Sequence, residues 1–413
     1  MNFLTRYFKY PHFITKRKIE NIFIFPFIVL GRSIASLNPL KKEYDTFFFF
    51  PFYHVGGAEK VHAQIARATG GENCIIFFTR KSQNNLFYEE FKKSGCDIKD
   101  ISKLTDNKFV YFLNLVYRGI ISYYINKQKK RPIVFNGQCN FGYKISPWIE
   151  SQIPQIELIH SLGSFSYIRI PFIEYYYRTV MISQQRIADH IKLYNQFHIP
   201  TSFASDIVFI LNGIPLPPKT KTYLSPPNPL KILYSGRTDP EKRVHLVALI
   251  AREVKESENL NVDFIFLGDI EKAIPEELHR FCKFLGYHND PDFINQTYLQ
   301  SDVLIIVSSA EGFPMVIMEA MATGLTIIAT AVGEIPLHVK DNVNGFLMYD
   351  VNDEALVISQ AAKHIKTLYN NPGLLMNIGE SNKQHAVVNF GLNRFESEYR
   401  SLFNQARKDF GIQ

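Results

Sequence analysis

The chain has 413 residues, of which 46% are apolar and 21% charged, a globular composition with room for two or three domains and not that of a disordered segment. Its formal charge of +7 is concentrated: residues 1–42 hold eight of the 46 basic residues and, of the 39 acidic ones, Glu20 alone, so the remaining chain carries 38 of each. That neutral body argues against a nucleic-acid binder, and four scattered cysteines without a CxxC argue against a disulfide framework or zinc site and suit a reducing compartment.

The basic leader, residues 1–42, interleaves Phe3, Tyr7, Phe8, Tyr10 and Phe13 with Lys and Arg. Its apolar stretch at 22–30 is about half the ~20 residues a bilayer-spanning helix needs. The basic region ahead of it is too long for an ordinary signal peptide. Aromatic and cationic residues in alternation suit the interface of an anionic membrane. The plainer reading is a disordered or partly packed leader whose charges are solvated.

The first strong strand is predicted at 46–50, a continuous apolar run of the kind buried on both faces. A glycine-bearing loop with Gly56 and Gly57 follows it and leads into a helix. Further strands are expected at 74–78, 133–135, 156–159, 180–182 and 207–211, with helical periodicity at 109–125 and 184–197. Prolines 215, 217, 218, 226, 227 and 229 then read as a linker. Beyond it the alternation restarts: strands at 231–235, 262–267, 303–307 and 326–330, helices at 244–256, 315–322, 353–369 and 392–408. Two doubly wound α/β domains with mainly parallel sheets follow, and a cleft between them is the natural ligand site.

Three loops carry the candidate chemistry. At 308–324, SSAEGFPMVIMEAMATG follows a buried strand and opens a helix, with Pro314 suited to its first turn and Gly324 to its end. Unpaired N–H groups at such a helix start accept a phosphate, and Glu311 and Glu319 can accept from sugar hydroxyls. The plainer reading is two solvated acids near a helix start. At 235–243, SGRTDPEKR is again strand, glycine turn and helix start, with Asp239 as N-cap, Pro240 at N1, and Arg237 and Lys242 able to neutralise a diphosphate. At Gly56-Gly57 the backbone could approach a ligand, and His160 ends a strand on the same side, although a lone histidine there is more often structural.

These residues in this order resemble the retaining glycosyltransferases of family 4, from about residue 46 to the C-terminus. The resemblance rests on GGAEKV at 56–61, the His160 region, NGI at 212–214 and GRTDPEKR at 236–243. It extends through LGYHND at 285–290, EGFPMVIMEAMATG at 311–324, and VGEIP with NGFLM at 332–348. It implies the GT-B fold: an acceptor domain over 43–214 completed by the C-terminal helix 390–413, and a donor domain over 215–389. It also implies that Glu311 meets the donor sugar while backbone amides of Gly312, Phe313, Pro314, Met315 and Val316 hold sugar and phosphate. Glu319 would meet the ribose, Arg237 and Lys242 the diphosphate, and His160 the transferred sugar. Gly57, Gly236 and Tyr287 would complete the donor contacts, with no essential metal or other cofactor. Asp290 and Asp292 spell DxD only formally. The family's GGIPE reads Gly333-Glu334-Ile335-Pro336-Leu337 here, which puts fine contacts of that loop in doubt.

The expected activity is transfer of a sugar from a nucleoside-diphosphate-sugar to a glycan or lipid-linked acceptor in cell-surface polysaccharide synthesis. The expected place is the cytoplasm, peripheral at the inner face of the membrane through residues 1–42. The alternatives are a nucleotide-sugar hydrolase or epimerase of the same fold, and a non-catalytic glycan- or nucleotide-binding module.

Overall fold

The computed structural model describes residues 9–54, 56–107, 110–160, 162–222 and 226–412. They form two compact units, one of Met1–Asn212 with Phe395–Gln413 and one of Gly213–Arg394. The first contains α1 (Tyr10–Leu37), β1 (Thr46–Phe50), α2 (Gly57–Thr69), β2 (Cys74–Phe78), β3 (Asp97–Asp100), α3 (Tyr111–Asn126), β4 (Ile133–Asn136), β5 (Gln155–Ile159), β6 (Arg178–Met181), α4 (Gln184–Phe197) and β7 (Ile207–Phe209). The second contains β8 (Leu230–Ser235), α5 (Val244–Arg252), β9 (Val262–Leu267), β10 (Cys282–Gly286), α6 (Pro291–Gln300), β11 (Val303–Ile306), α7 (Met315–Thr323), β12 (Thr326–Thr330), β13 (Gly345–Met348), α8 (Glu354–Asn370) and α9 (Pro372–Phe390). A last helix, α10 (Leu392–Asp409), belongs to the first unit from Phe395 onward.

All strand pairs are parallel, in the orders β3-β2-β1-β4-β5-β6-β7 and β10-β9-β8-β11-β12-β13. Each order reverses beside its first strand, at β1/β4 and at β8/β11, where an open α/β sheet presents its ligand site. The β1 run TFFFF shows why the sheet is buried on both faces: period-two alternation sends Phe47 and Phe49 to one side and Phe48 and Phe50 to the other. Phe49 stacks on Phe77 at 5.4 Å, and Phe48 meets Phe403 of α10 at 6.2 Å.

Three strands escape the sequence reading, β3, β10 and β13, and all three are sheet edges. The first two are half exposed, so they lack the continuous apolar run that marks a central strand. The proline segment departs from a free linker. Ile214 is fully buried, its N–H donates to Phe390 O, and Lys221 pairs with buried Asp302 at 2.7 Å. Proline breaks helices and ladders but does not prevent packing.

The basic leader is the larger surprise. Residues 10–37 form one 28-residue helix, long and apolar enough by length and composition to cross a membrane. The apolar run at 22–30 is thus only its middle. One face docks against α3: a Cβ on Gly31 would lie 2.1 Å from Val116 O, and one on Gly119 2.3 Å from Ile28 O. Two glycines therefore let the helix backbones touch. Arg17, 3% exposed, is used up internally, pairing with Glu174 at 2.9 Å beneath the Tyr175 ring. The opposite face leaves Ile22, Phe23 and Leu37 exposed at 71%, 75% and 81%.

Gly119→Val should separate α1 from α3 at a cost of roughly 3 kcal/mol, the scale of an overpacked core site. A thermal melt falling by several degrees, with faster proteolysis within residues 10–37, is the expected reading.

Candidate functional site

At the β8/β11 reversal two loops rise side by side, residues 236–243 after β8 and 307–314 after β11. Backbone and side chain strap them together. Ser309 N–H donates to Glu241 O at 2.8 Å. Arg243, in a left-handed conformation (φ 48°), donates through Nε to Val307 O at 2.8 Å and through Nη1 to Val351 O at 2.7 Å. Arg243 is a structural clasp that sequence reasoning left without a role, since only its left-handed turn aims the guanidinium back at the sheet.

The strapped loops bring Lys242 and Glu311 together at 2.6 Å. Glu311 Oε1 accepts from Lys242 Nζ and, at 2.7 Å, from Ser308 Oγ. Both bonds fall on one oxygen, which leaves Oε2 as an acceptor for a hydroxyl. Lys242 likewise keeps two of its three donors. A short, half-buried charged pair of this kind can serve as a pre-aimed binding element.

Behind it, glycine geometry is exacting. Gly333 has φ 56°, and a Cβ there would lie 2.2 Å from Glu311 O and 2.5 Å from Gly312 O, while Glu334 N–H donates to Gly312 O at 2.9 Å. The Gly333-Glu334 loop is thus the floor of the Glu311 loop. Gly268 (φ 139°) approaches Gly236 O in the same way, drawing β8 and β9 together at their carboxyl ends; no sequence signal singled it out. By contrast, a Cβ on Gly312 or Gly57 would meet nothing within 4 Å. The protein's own packing does not demand glycine at those two places.

The start of α7 follows with Pro314 as N-cap, one residue earlier than its expected first turn, and Gly324 (φ 100°) ends the helix as expected. Met315 and Val316 open α7 half-buried, while the Phe313 ring turns inward onto His338 at 4.3 Å. Glu319 accepts from Tyr298 OH at 3.3 Å; burial, then the Glu319 charge, pushes that phenol well up, so it stays a donor. Asp239 caps only a single 3-10 turn, Pro240–Lys242, without a side-chain bond, because its carboxylate is held by Arg237 at 2.9 Å. Arg237 is itself 82% exposed and joins neither Glu311 nor Lys242. Tyr287 stands exposed beyond β10. Asp290 accepts from Asp292 N–H as the N-cap of α6, which accounts for the DxD lettering. Among the described residues, no three His, Cys, Asp or Glu side chains cluster as metal ligands.

Gly57 and His160 belong to the first unit. Gly57 opens α2, whose His62 brings its Nε2 within 2.9 Å of His160 Nε2 and stacks on Phe50 at 4.5 Å. His62 Nδ1 is buried without a partner, and a bare acceptor there costs less than a stranded N–H. With Nδ1 bare, His62 would carry its proton on Nε2 and donate it, and His160 would then be the Nδ1–H form. Burial holds both rings neutral, His160 down to about 4 and His62 well below its ordinary value with His160 adding to the effect. His62 was not a sequence candidate; its place one turn into α2, beside the carboxyl end of β5, is visible only once the strands are ordered.

Residues 218–385 match the family described as "Glycosyl transferases group 1". Among curated relatives, D-inositol 3-phosphate glycosyltransferase of Streptomyces bingchenggensis is 27% identical over 199 residues, 45% of this chain and 42% of that protein. The chain thus matches less than half the length of that relative. Anabaena HepE in complex with UDP superposes with a TM-score of 0.68 at 18% identity, covering 87% of this chain and all of that one. The fold is GT-B. Sucrose-phosphate synthase of Thermosynechococcus elongatus shares GT-B too, with a TM-score of 0.64 at 16% identity over 88% of this chain and 99% of that one. In this GT-B chain the group 1 domain contains the whole Lys242–Glu311 constellation.

Gly333→Ala should cost roughly 2–4 kcal/mol through strain and backbone collision, while Gly312→Ala should leave the melting temperature within about a degree yet weaken stabilisation by nucleotide. Paired thermal melts with and without ligand check both. A second expectation concerns acid. His160, His190 and His338 are each lowered by burial from 6.5 to about 4, so the unfolded chain binds their protons first. Stability present above pH 6.5 should be lost as pH falls toward 4, and His160→Gln should flatten part of that fall in melts taken across this window.

Proposed function

We propose that the protein transfers a glycosyl group, with retained anomeric configuration, from a nucleoside-diphosphate-sugar to a glycan or lipid-linked acceptor, as a family 4 enzyme building cell-surface polysaccharide at the cytoplasmic face of the membrane. The carrying observation is the Lys242–Glu311 pair at the β8/β11 reversal, inside the group 1 domain, with an open glycine and the start of α7 beside it. Glu311 Oε2 accepts from a sugar hydroxyl while Lys242, still held by Oε1, turns its remaining donors to the diphosphate. The N–H groups at the start of α7 add a second positive end for phosphate. Arg237, exposed and paired with Asp239 on the same loop, contacts the same diphosphate, and Glu319 takes the ribose.

In the reaction, the bond from the anomeric carbon to the β-phosphate oxygen breaks, and the departing nucleoside diphosphate keeps the electron pair. The acceptor hydroxyl bonds to that carbon on the same face, and its proton passes to the departing phosphate. Lys242 and Arg237 stabilise the charge that grows on the leaving group, so no metal is assigned a step. In the first unit, neutral His160 offers an Nδ1–H donor suited to a sugar hydroxyl. UDP bound in Anabaena HepE supports a uridine nucleotide as the first donor to test.

A thermal-shift panel of UDP, GDP, ADP and CMP should single out one nucleoside diphosphate. With the matching sugar nucleotide, Glu311→Ala and Lys242→Ala should each lower kcat/KM roughly 100-fold, the loss typical of one aimed charge-stabilising contact, with the melting temperature of the apoprotein little changed. Near-unaltered turnover in both variants would remove these residues from the reaction.

A further inference from the structure

The first sheet has a strand reversal of its own, at β1/β4, and three polar residues meet there beyond the strand ends. His62 reaches it from α2, Gln138 from the turn after β4, and His160 from the end of β5.

The His62 ring, 1% exposed, is clamped on two sides. It stacks on Phe50 at 4.5 Å, and a Cβ on Gly137 would lie 2.7 Å from its Nε2. Glycine therefore lets the turn after β4 pass close against the ring. That turn is fixed in its own right: Gly137 N–H donates to Phe49 O at 2.9 Å, and Cys139 N–H to Asn136 Oδ1 at 2.7 Å. Between them Gln138 takes a left-handed conformation (φ 57°), and its Oε1 accepts from His160 N–H at 2.9 Å.

The backbone of His160 is thus held by Gln138 and its ring by His62, Nε2 to Nε2 at 2.9 Å with the ring planes 65° apart. Burial holds both rings neutral, so one proton lies between the two Nε2 atoms and its owner decides both tautomers. If His160 donated, His62 would carry its own proton on Nδ1, a buried atom without a partner. If His62 donates, that atom is a bare lone pair, and orphaned buried N–H groups are the rarer of the two. The second N–H then stands on His160 Nδ1, which bonds to nothing among the described residues, on a ring that is only half-buried.

We propose that His62 is a positioning residue: it donates to His160, fixes the tautomer and orientation of that ring, and so presents His160 Nδ1–H as the donor to a sugar hydroxyl. The hydroxyl rests on the glycosyl-transfer reading; the direction of the bond between the two rings does not. His62 is enclosed and acts only through His160.

The test is a long-range nitrogen–proton NMR spectrum of the histidine rings in the full chain without ligand, which separates protonated from bare ring nitrogens. The signals lost in His160→Gln assign that ring. The wild type should show His160 protonated at Nδ1 and bare at Nε2. His62→Phe keeps the stack on Phe50 without a donor, and His160 should move toward the Nε2–H form. His62→Gln returns an amide donor near the place of Nε2 and should restore the Nδ1–H form. With UDP-glucose as the probe, kcat for release of UDP should fall about tenfold in His62→Phe with KM little changed, a loss within reach of a small misplacement, and recover in His62→Gln. His160 protonated at Nε2 in the wild type overturns the proposal, and this arm holds even where His62→Phe does not fold. An unmoved His160 tautomer in folded His62→Phe overturns it too, as does a loss of turnover that His62→Gln does not recover. No release of UDP by the wild type, with the ring spectra as expected, would instead count against the glycosyl-transfer reading alone.

Discussion

A parallel sheet buried on both faces has room for polar chemistry only where its strands end. In β1 every side chain of the Thr46–Phe50 run is buried, and in β11 the same holds from Val303 to Ile306. A charge inside such a strand needs its own buried partner, as Glu157 of β5 has in Arg169, so Lys242 and Glu311 enter on the turns that leave the carboxyl ends of neighbouring strands. The reversal of strand order keeps those turns from being covered by crossover helices. Everything distinctive about the candidate site follows from this restriction: the Arg243 clasp, the Gly333 floor, and the single shared oxygen of Glu311.

That logic decides how far the sequence could be read. Central strands and the amphipathic helices α4 and α10 follow from hydrophobic period, and the predicted bounds of α4 coincide with those observed. The loops around Arg237, Lys242 and Glu311 were legible as a resemblance, and their spacing already placed them at strand ends. The pairing of Lys242 with Glu311 was not, because spacing in sequence says nothing about which of two neighbouring turns leans on the other. The exposure of Arg237 is likewise a matter of side-chain choice once Asp239 competes for it. His62 lay inside an ordinary amphipathic helix and could become notable only through the proximity of β5.

The opening charge asymmetry changes meaning in the same way. Composition presents eight cations in a leader, but the structure treats them unequally. Arg17 is consumed by Glu174, Arg32 donates to Trp148 O, and Lys42 meets Asp97 at the surface. Arg118, buried with its hydrogen bonds going to the neutral Asn114 and Tyr111, lies in the part of the chain that composition calls neutral. Net charge over a segment averages away the one quantity with chemical force, which is charge left without a partner in a low-dielectric place.

The glycine contact between α1 and α3 has a practical consequence. Where Gly31 and Gly119 meet, the leader helix ceases to be an appendage and becomes a wall of the first unit, with Ile28 and Ala35 wholly enclosed. Trimming it to obtain a shorter soluble protein would unroof that wall. A deletion would then confound the address of the molecule with its integrity, and only substitutions on the outward face, at Ile22 or Phe23, can separate the two.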